Sequence, residues 1–443
     1  GKQGVEMSYE KYLRGIKGTE FIQKDRFNRD IGKYKDGALD IPSISGKDLT
    51  ITIDSKLQEY GETLMKNKKG AIVAIEPNSG EILSLVSSPS YNPNLLVGRE
   101  RSKNYLELYK DSIYRPLIDK GLLSMFPPGS PFKILVGLTA LQEEIITEKS
   151  TIYCKGYYIY GKEKRKMNCH CGGGYRNIYN AISLSCNSYF ADIYRKTIDS
   201  QYNTKERFDN WSNHIKSFGL GNYLNNDLSV GKKGIIPDSE YYDRWYPDFK
   251  WGGTTTISNS IGQGEILTTP IQLANMTAAI ANGGYYYTPH IIKKIDGDTI
   301  DVRFKTPIKT SIDSTHFKTM GKALYKVFKS GTGKLLNVPG IEICGKSGTT
   351  ENFVKINGVK TQLSDHSIFI AYAPKENPTI AVSVLIENAG YGSLWAGRTA
   401  SLMIEKYINH EISLKKMEKT VLNKSLKREY LKPYLGKPFN INE

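Results

Sequence analysis

Ala71-Ile72-Val73-Ala74-Ile75 and Ile82-Leu83-Ser84-Leu85-Val86 are nearly continuous apolar runs separated by Pro77-Asn78-Ser79-Gly80. Short runs bounded by such a cluster predict two buried strands joined in a hairpin. A second pair lies near the other end of the chain: Ile368-Phe369-Ile370-Ala371-Tyr372 and Ile380-Ala381-Val382-Ser383-Val384-Leu385-Ile386, with Pro374 to Pro378 between them. The stretch through Lys346 supplies a fifth strand beside it. Between the hairpins, apolar positions take helical spacing over Lys133 to Glu143, Asn180 to Tyr194 and Thr269 to Ala281. The first 46 residues carry many charges and no sustained period, which suits a linker. No internal repeat or low-complexity segment interrupts the pattern.

Composition adds only bounds. Of 443 residues, 39% are hydrophobic and 24% charged, as in an ordinary soluble globular protein that can build one large core or two domains. No apolar run approaches the roughly 18 residues needed to span a bilayer, and no stretch is expected to be a signal peptide. The net charge of +16 predicts a solvated basic surface suited to an anionic envelope. Nucleic acid is disfavoured as a partner, because no nucleic-acid-binding motif accompanies the charge. Residues 411–443 hold eight Lys or Arg against four Glu, with Pro433 and Pro438 near the end, and are expected to be a solvated helix and coil.

The candidate chemistry centres on Ser130-Pro131-Phe132-Lys133. Three residues on a helix is close to one turn, so a hydroxyl nucleophile and an amine base would share one face within hydrogen-bonding reach. Taken alone, S-x-x-K is weak, because a helix start with an exposed lysine has the same residues. Ser185-Cys186-Asn187 and Lys346-Ser347-Gly348-Thr349 lie downstream, in the order used by penicillin-recognising serine acyl transferases. A near copy, Lys329-Ser330-Gly331-Thr332, competes with the last of these. Val327-Phe328 before the near copy resembles a helix end with a glycine stop, whereas Ile341 to Cys344 leads into the later motif as a strand.

With these motifs stand Tyr9-Glu10-Lys11-Tyr12-Leu13-Arg14-Gly15, Leu49-Thr50-Ile51-Thr52-Ile53-Asp54, Ser260-Ile261-Gly262-Gln263-Gly264-Glu265, Ala281-Asn282-Gly283-Gly284 and Asp365-His366-Ser367. Together they make the chain resemble class B penicillin-binding proteins of the elongation type, penicillin-binding protein 2, over most of its length. The resemblance implies an α+β serine-transpeptidase fold: a five-stranded antiparallel sheet flanked by helices, with a helical subdomain and a short pedestal remnant. It divides the chain into a pedestal remnant at 1–46, a transpeptidase domain at 47–410 and a basic tail at 411–443. It further implies a truncated form of a longer bitopic protein, with its catalytic domain in the periplasm or outside the membrane.

The implied activity is D,D-transpeptidation of peptidoglycan stem peptides, inhibited covalently by β-lactams. Ser130 would form the acyl-enzyme, Lys133 would be the base and Ser185 would relay a proton to the leaving amine. Asn187 would hold the substrate amide and Lys133. Lys346 would supply positive potential. Ser347 and Thr349 would take the substrate carboxylate, and Gly348 would let the edge strand approach the substrate backbone. The implied partner is a glycosyltransferase of the SEDS family within an elongation complex. A D,D-carboxypeptidase using water, or a penicillin sensor or scaffold, would use the same residues. A class A β-lactamase would need an E-x-x-L-N pentad, which the chain lacks.

Four of the five cysteines, Cys154, Cys169, Cys171 and Cys186, fall within 33 residues, with His170 between two of them. The clustering suggests a metal site, and some relatives carry a structural zinc at this place. A closed zinc site would take Cys154, Cys169, Cys186 and either Cys171 or His170. Disulfides are the alternative. Cys344 is expected to be a core residue, and no organic cofactor is expected. Gly340 to Ser347 also satisfies the G-x-x-x-x-G-K-[ST] phosphate-loop pattern, but Gly348 to Asn352 after it do not open a helix. Asp365-His366 suggests part of a Ser-His-Asp triad. Lys133 already fills the base role, which leaves His366 structural.

Overall fold

Both expected hairpins form, and they pair with each other. The computed structural model describes residues 3–356 and 359–432. Its central sheet has β1 (Gly70–Ile75), β2 (Ile82–Ser88), β3 (Cys344–Ile356), β4 (Val359–Ala373) and β5 (Ile380–Ile386). Every pairing is antiparallel, in the order β3-β4-β5-β1-β2. β5 lies against β1, with Val384 opposite Ile72 and Val382 opposite Ala74, so segments far apart in the chain close one sheet. β1 and β5 are buried at every position. They are therefore covered on both faces, which is why they read as continuous apolar runs rather than alternating ones.

The helices that matter here are α1 (Ser55–Met65), α2 (Lys133–Gln142), α3 (Ile178–Ser183), α4 (Asn187–Ile198), α5 (Thr204–Lys216), α6 (Pro270–Ala281), α7 (Ser314–Ser330), α8 (Ala396–Asn409), α9 (Lys415–Leu422) and α10 (Lys427–Leu431). α6 packs on β1, β4 and β5, while α1 and α8 pack on the sheet and on each other. α6 starts where Thr269 and Gln272 close a reciprocal capping box ahead of Pro270, so three local signals agree on its first residue. α2 and α4 to α5 form the helical region beside the sheet.

Two expectations are corrected. The helix expected over Asn180 to Tyr194 is two helices, α3 and α4, broken at Leu184 to Cys186, where Ser185 has φ +56°. Apolar spacing continues across the break, so the pattern hid it. The solvated tail is also incorrect for residues 411–432. Val421, Leu426 and Tyr430 are buried in the main core, and the Tyr430 hydroxyl accepts from Lys69 N at 2.7 Å. The charges of α9 and α10 occupy the outer face of an amphipathic pair. Pro433, Pro438 and the rest of 433–443 lie outside the described residues.

The N-terminal segment is tied down too. Tyr9 packs with Ile292, Ile295 and Phe304 in a small second core, and its hydroxyl donates to Asp227 at 2.7 Å. Among the described residues, no helix is long and apolar enough to cross a membrane.

Candidate active site

Ser130 opens a 3-10 turn, Ser130–Phe132, that runs directly into α2 at Lys133. In a 3-10 turn, residues i and i+3 eclipse, which sets the serine and lysine on one side. The turn is seated by glycines. Gly129 takes φ +62° and donates to Gly262 O at 2.8 Å. Gly262 takes φ +67°, and a Cβ there would stand 2.3 Å from Gly129 O. Only glycine fits such a contact at such a φ.

The three motifs come together in one chain of hydrogen bonds. Ser185 Oγ lies 2.9 Å from Ser130 Oγ. Lys133 Nζ donates to Ser185 Oγ at 3.1 Å, to Ser185 O at 2.9 Å and to Asn187 Oδ1 at 2.5 Å. The expected direct bond from Ser130 to Lys133 is not among the hydrogen bonds of the described residues. Ser185 bridges the two because its left-handed backbone turns the hydroxyl back between them. Asn187 is the first residue of α4, and its amide donates to Asn168 O at 2.8 Å. Neither Ser185 nor Asn187 caps this helix. Cys186 occupies the cap position and makes no side-chain cap bond.

Lys133 is fully buried, and burial lowers its pKa from 10.5 to about 8, with Cys169, Cys186 and Cys171 opposing the shift. Lys346 is also fully buried. Burial, and then the charge of Lys133, hold it well below the ordinary lysine value. A carboxylate bound beside Lys346 would favour the charged form expected from sequence. Lys346, Ser347, Gly348 and Thr349 lie on β3, the edge strand, so the residues of the phosphate-loop lookalike from Cys344 on form a strand and not a strand-to-helix turn. Gly348 has a structural reason besides substrate approach, since a Cβ there would stand 2.6 Å from Pro131 Cδ. Thr349 Oγ1 accepts from Gly392 N at 3.1 Å.

One residue that sequence reasoning set aside belongs to the cleft. Thr332, from the near copy, places Oγ1 2.9 Å from Ser347 Oγ. Its own amide donates to Ser183 O at 3.1 Å. α7 ends at Ser330 as expected, and the glycine stop delivers Thr332 between α3 and β3. The duplicated motif was the available signal. His366 is buried beside Phe126, with ring centroids 5.0 Å apart, and burial lowers its pKa to about 4. Its Nδ1 accepts from Asn388 N, which is a structural role.

The cysteines converge on the base of the Ser185-Cys186-Asn187 turn. The ligand atoms of Cys154, Cys169, Cys171 and Cys186 all lie within 4.8 Å of one another, and all four residues are buried. Sγ separations are 3.5 Å for Cys169–Cys171 and 3.6 Å for both Cys169–Cys186 and Cys171–Cys154. These are far beyond a disulfide bond of about 2.05 Å, and all five cysteines are free. His170 is exposed, so the fourth position of the cluster falls to Cys171. Backbone amides point at the sulfurs: Gly156 N donates to Cys154 Sγ at 3.3 Å, and the amide of Tyr189 reaches Cys186. The bond shared by Cys169 and Cys186 pulls the first thiol down and pushes the second up.

A serine seated at a helix start, a buried lysine joined to it through a second serine, and a hydroxyl-bearing edge strand are the parts that serine acyl transfer needs. The chain belongs to the penicillin-binding protein transpeptidase family: the model of the penicillin binding protein transpeptidase domain matches residues 70–405. That of the penicillin-binding protein dimerisation domain matches residues 1–51. The peptidoglycan D,D-transpeptidase MrdA of Haemophilus influenzae is 32% identical over 428 residues, 93% of this chain and 63% of that protein. The chain thus spans about three fifths of that relative's length. Penicillin-binding protein 2 of Pseudomonas aeruginosa, solved with WCK 5153, superposes with TM-score 0.76 at 31% identity, over 92% of this chain and 82% of the other. Helicobacter pylori penicillin-binding protein 2, solved in complex with MreC, gives 0.74 at 27% identity, over 92% and 72%.

Proposed function

We propose that this chain is the catalytic part of a peptidoglycan D,D-transpeptidase that cross-links stem peptides during cell elongation and is acylated by β-lactams. The observation that carries the reading is the Ser130–Ser185–Lys133 relay facing an open edge strand. With Lys133 neutral, the hydroxyls turn so that Ser130 donates to Ser185 and Ser185 to Lys133. The proton leaves Ser130 along that path as Oγ attacks the carbonyl of the penultimate D-alanine. The developing oxyanion is taken by backbone N–H groups at Ser130 and Thr349. Collapse expels the terminal D-alanine, whose amine regains the proton through Ser185. An amine from a neighbouring stem then attacks the Ser130 ester, and the serine recovers its hydrogen. Ser347, Thr349 and Thr332 line the place for the donor carboxylate, with Lys346 beneath it. Gly348 keeps β3 close to Ser130, and the donor backbone adds along its free edge.

The test is a donor pentapeptide incubated with an amine acceptor. Cross-linked product supports transpeptidation, whereas D-alanine release without it would make the chain a carboxypeptidase. Undiminished labelling of Ser130→Ala by a fluorescent penicillin would remove Ser130 as nucleophile.

Cys154, Cys169, Cys171 and Cys186 would hold a structural zinc. Three of the six sulfur separations, at 3.5 to 3.6 Å, approach the edge of a zinc–thiolate tetrahedron, and all six lie within 4.8 Å; that edge is roughly 3.8 Å for bonds near 2.3 Å. The amides aimed at them favour thiolates. The metal would fix Cys186 between Ser185 and Asn187. Metal analysis of protein purified without added zinc should give about one equivalent, and a small fraction of that would defeat the assignment. The expected partners are a SEDS-family glycosyltransferase and an MreC-like protein, with the catalytic domain outside the inner membrane. The likeness to the MreC-bound relative and the match to the dimerisation domain support this.

A further inference from the structure

We infer that the open groove between the start of α5 and residues 246–251 is a subsite for the amino-sugar strand from which the stem peptide hangs. The inference rests on the donor substrate proposed above. The groove encloses about 780 Å³. Its rim carries Tyr202, 90% exposed, and Phe249, 74% exposed. Its floor is fixed. Trp251 Nε1 donates to Asp243 at 2.9 Å, Lys205 Nζ lies 2.9 Å from the same carboxylate, and the indole packs on Phe208 and Tyr242 at 5.1 and 5.2 Å. Free rings over a rigid polar floor suit a pyranose. Its C–H face packs on the electron-rich ring face while its hydroxyls reach the carboxylate and ammonium groups. Asp243, Asp248 and Glu206 face Lys205 and Lys250 around the groove, a lining of mixed sign with a slight acidic excess, so it suits a neutral polyhydroxy ligand better than an anionic polymer.

Distance favours the same occupant. α4 begins at Asn187 in the catalytic site and runs 12 residues to Ile198, about 18 Å at 1.5 Å per residue. Asp199 beyond it accepts from Gly253 N at 2.7 Å, and Ser200 lines the groove. The hairpin of Tyr157–Tyr160 and Arg165–Asn168 lies along α4, bonded through Asn168 to Asn187 at one end and through Tyr158 to Arg195 further on, at 3.3 Å. The four stem residues between the sugar and the scissile bond span ~14 Å when extended, of the same order as the length of the helix that separates Asn187 from the groove.

The experiment compares wild type with the double variant Tyr202→Ala/Phe249→Ala, both positions being exposed. Tryptophan fluorescence is titrated with an N-acetylglucosamine tetramer, and donor use is compared for a disaccharide-pentapeptide and the free pentapeptide. Two stacked contacts amount to about tenfold in affinity. Wild type should bind the tetramer and favour the sugar-bearing donor about tenfold in kcat/KM. The variant should lose both preferences, with free-peptide turnover and penicillin labelling unchanged. Absent or equal tetramer binding in the two proteins, or a donor ratio near one in wild type, overturns the subsite. A wild-type protein that labels with penicillin but cross-links neither donor would defeat the transpeptidase reading instead, leaving the titration to decide the groove.

Discussion

In the proposed mechanism, the burial of Lys133 sets the pH dependence of Ser130 acylation. The Lys133 pKa falls from 10.5 to about 8, chiefly because no water solvates the ammonium. At pH 7 about one molecule in ten then carries the neutral amine, against roughly one in three thousand for an ordinary lysine, a gain of about 300-fold in competent base. The second-order rate of labelling by a fluorescent penicillin should therefore rise about tenfold per pH unit from 6 and level off near 8. The same shift has a stability side. A lysine whose folded pKa is depressed binds fewer protons folded than unfolded, so its penalty, about 3 kcal/mol, is fully present below pH 8. It fades as pH rises from about 8 toward 10.5, where stability increases. A labelling rate flat from pH 6 to 9, or one still climbing tenfold per unit at pH 9, would refute the assignment of Lys133 as the base.

Thr332→Val removes the hydroxyl that meets Ser347, a bond worth about 1 kcal/mol, and should raise KM for a carboxylate-bearing donor about fivefold. Thr332→Ser should restore it, and equal KM values in wild type and Thr332→Val would remove the residue from the site. Gly262→Ala forces a side chain to φ +67°, roughly 1–2 kcal/mol before any contact, and drives a Cβ toward Gly129 O. Penicillin labelling should slow at every pH while the melting temperature falls, and a variant unchanged in both would contradict the seat. Deleting residues 411–443 uncovers the core under Val421, Leu426 and Tyr430 and should cost roughly 5 kcal/mol of stability. An unchanged denaturant midpoint would return the tail to a solvated role.

The strands were legible because burial on both faces leaves nearly uninterrupted apolar runs, and α6 because its cap, its proline and its apolar spacing coincide. The acylating centre was legible as motifs, not as geometry. Nothing in Ile182-Ser183-Leu184-Ser185-Cys186-Asn187 announces a left-handed serine, since apolar spacing continues through the turn. Without that turn, Ser130 and Lys133 would be expected to touch directly. Thr332 was hidden for a different reason. Its contact with Ser347 spans 15 residues of chain and depends on where α7 points, which local pattern does not encode. In α9 and α10, lysines dominate composition while a few apolar positions dominate packing. Cys171 enters the cluster, and not His170, through a turn that the glycines after it permit, with positive φ at Gly172, Gly173 and Gly174.

The site is held from two independent sides. Gly129 against Gly262 and Gly348 against Pro131 fix where Ser130 Oγ stands, by contacts too close for any side chain. The cysteine loop fixes something else. Asn187 commits its carbonyl to Lys133 and its amide to Asn168 O, and Asn168 directly precedes Cys169. Loosening the cluster would thus reach Ser130 by two routes, through Asn187 and Lys133 and through Ser185, which is joined directly to Cys186 and bonded to Ser130. Lys133 would lose an acceptor that favours its protonated form, while the serine kept its seat. Damage to the seat lowers the rate at all pH values, whereas damage to the cluster first alters how readily the base gives up its proton. The separation comes from which atoms are bonded: the metal-ligand chemistry proposed for the cysteines acts on the proposed base and its relay serine, and the glycine packing acts on the proposed nucleophile.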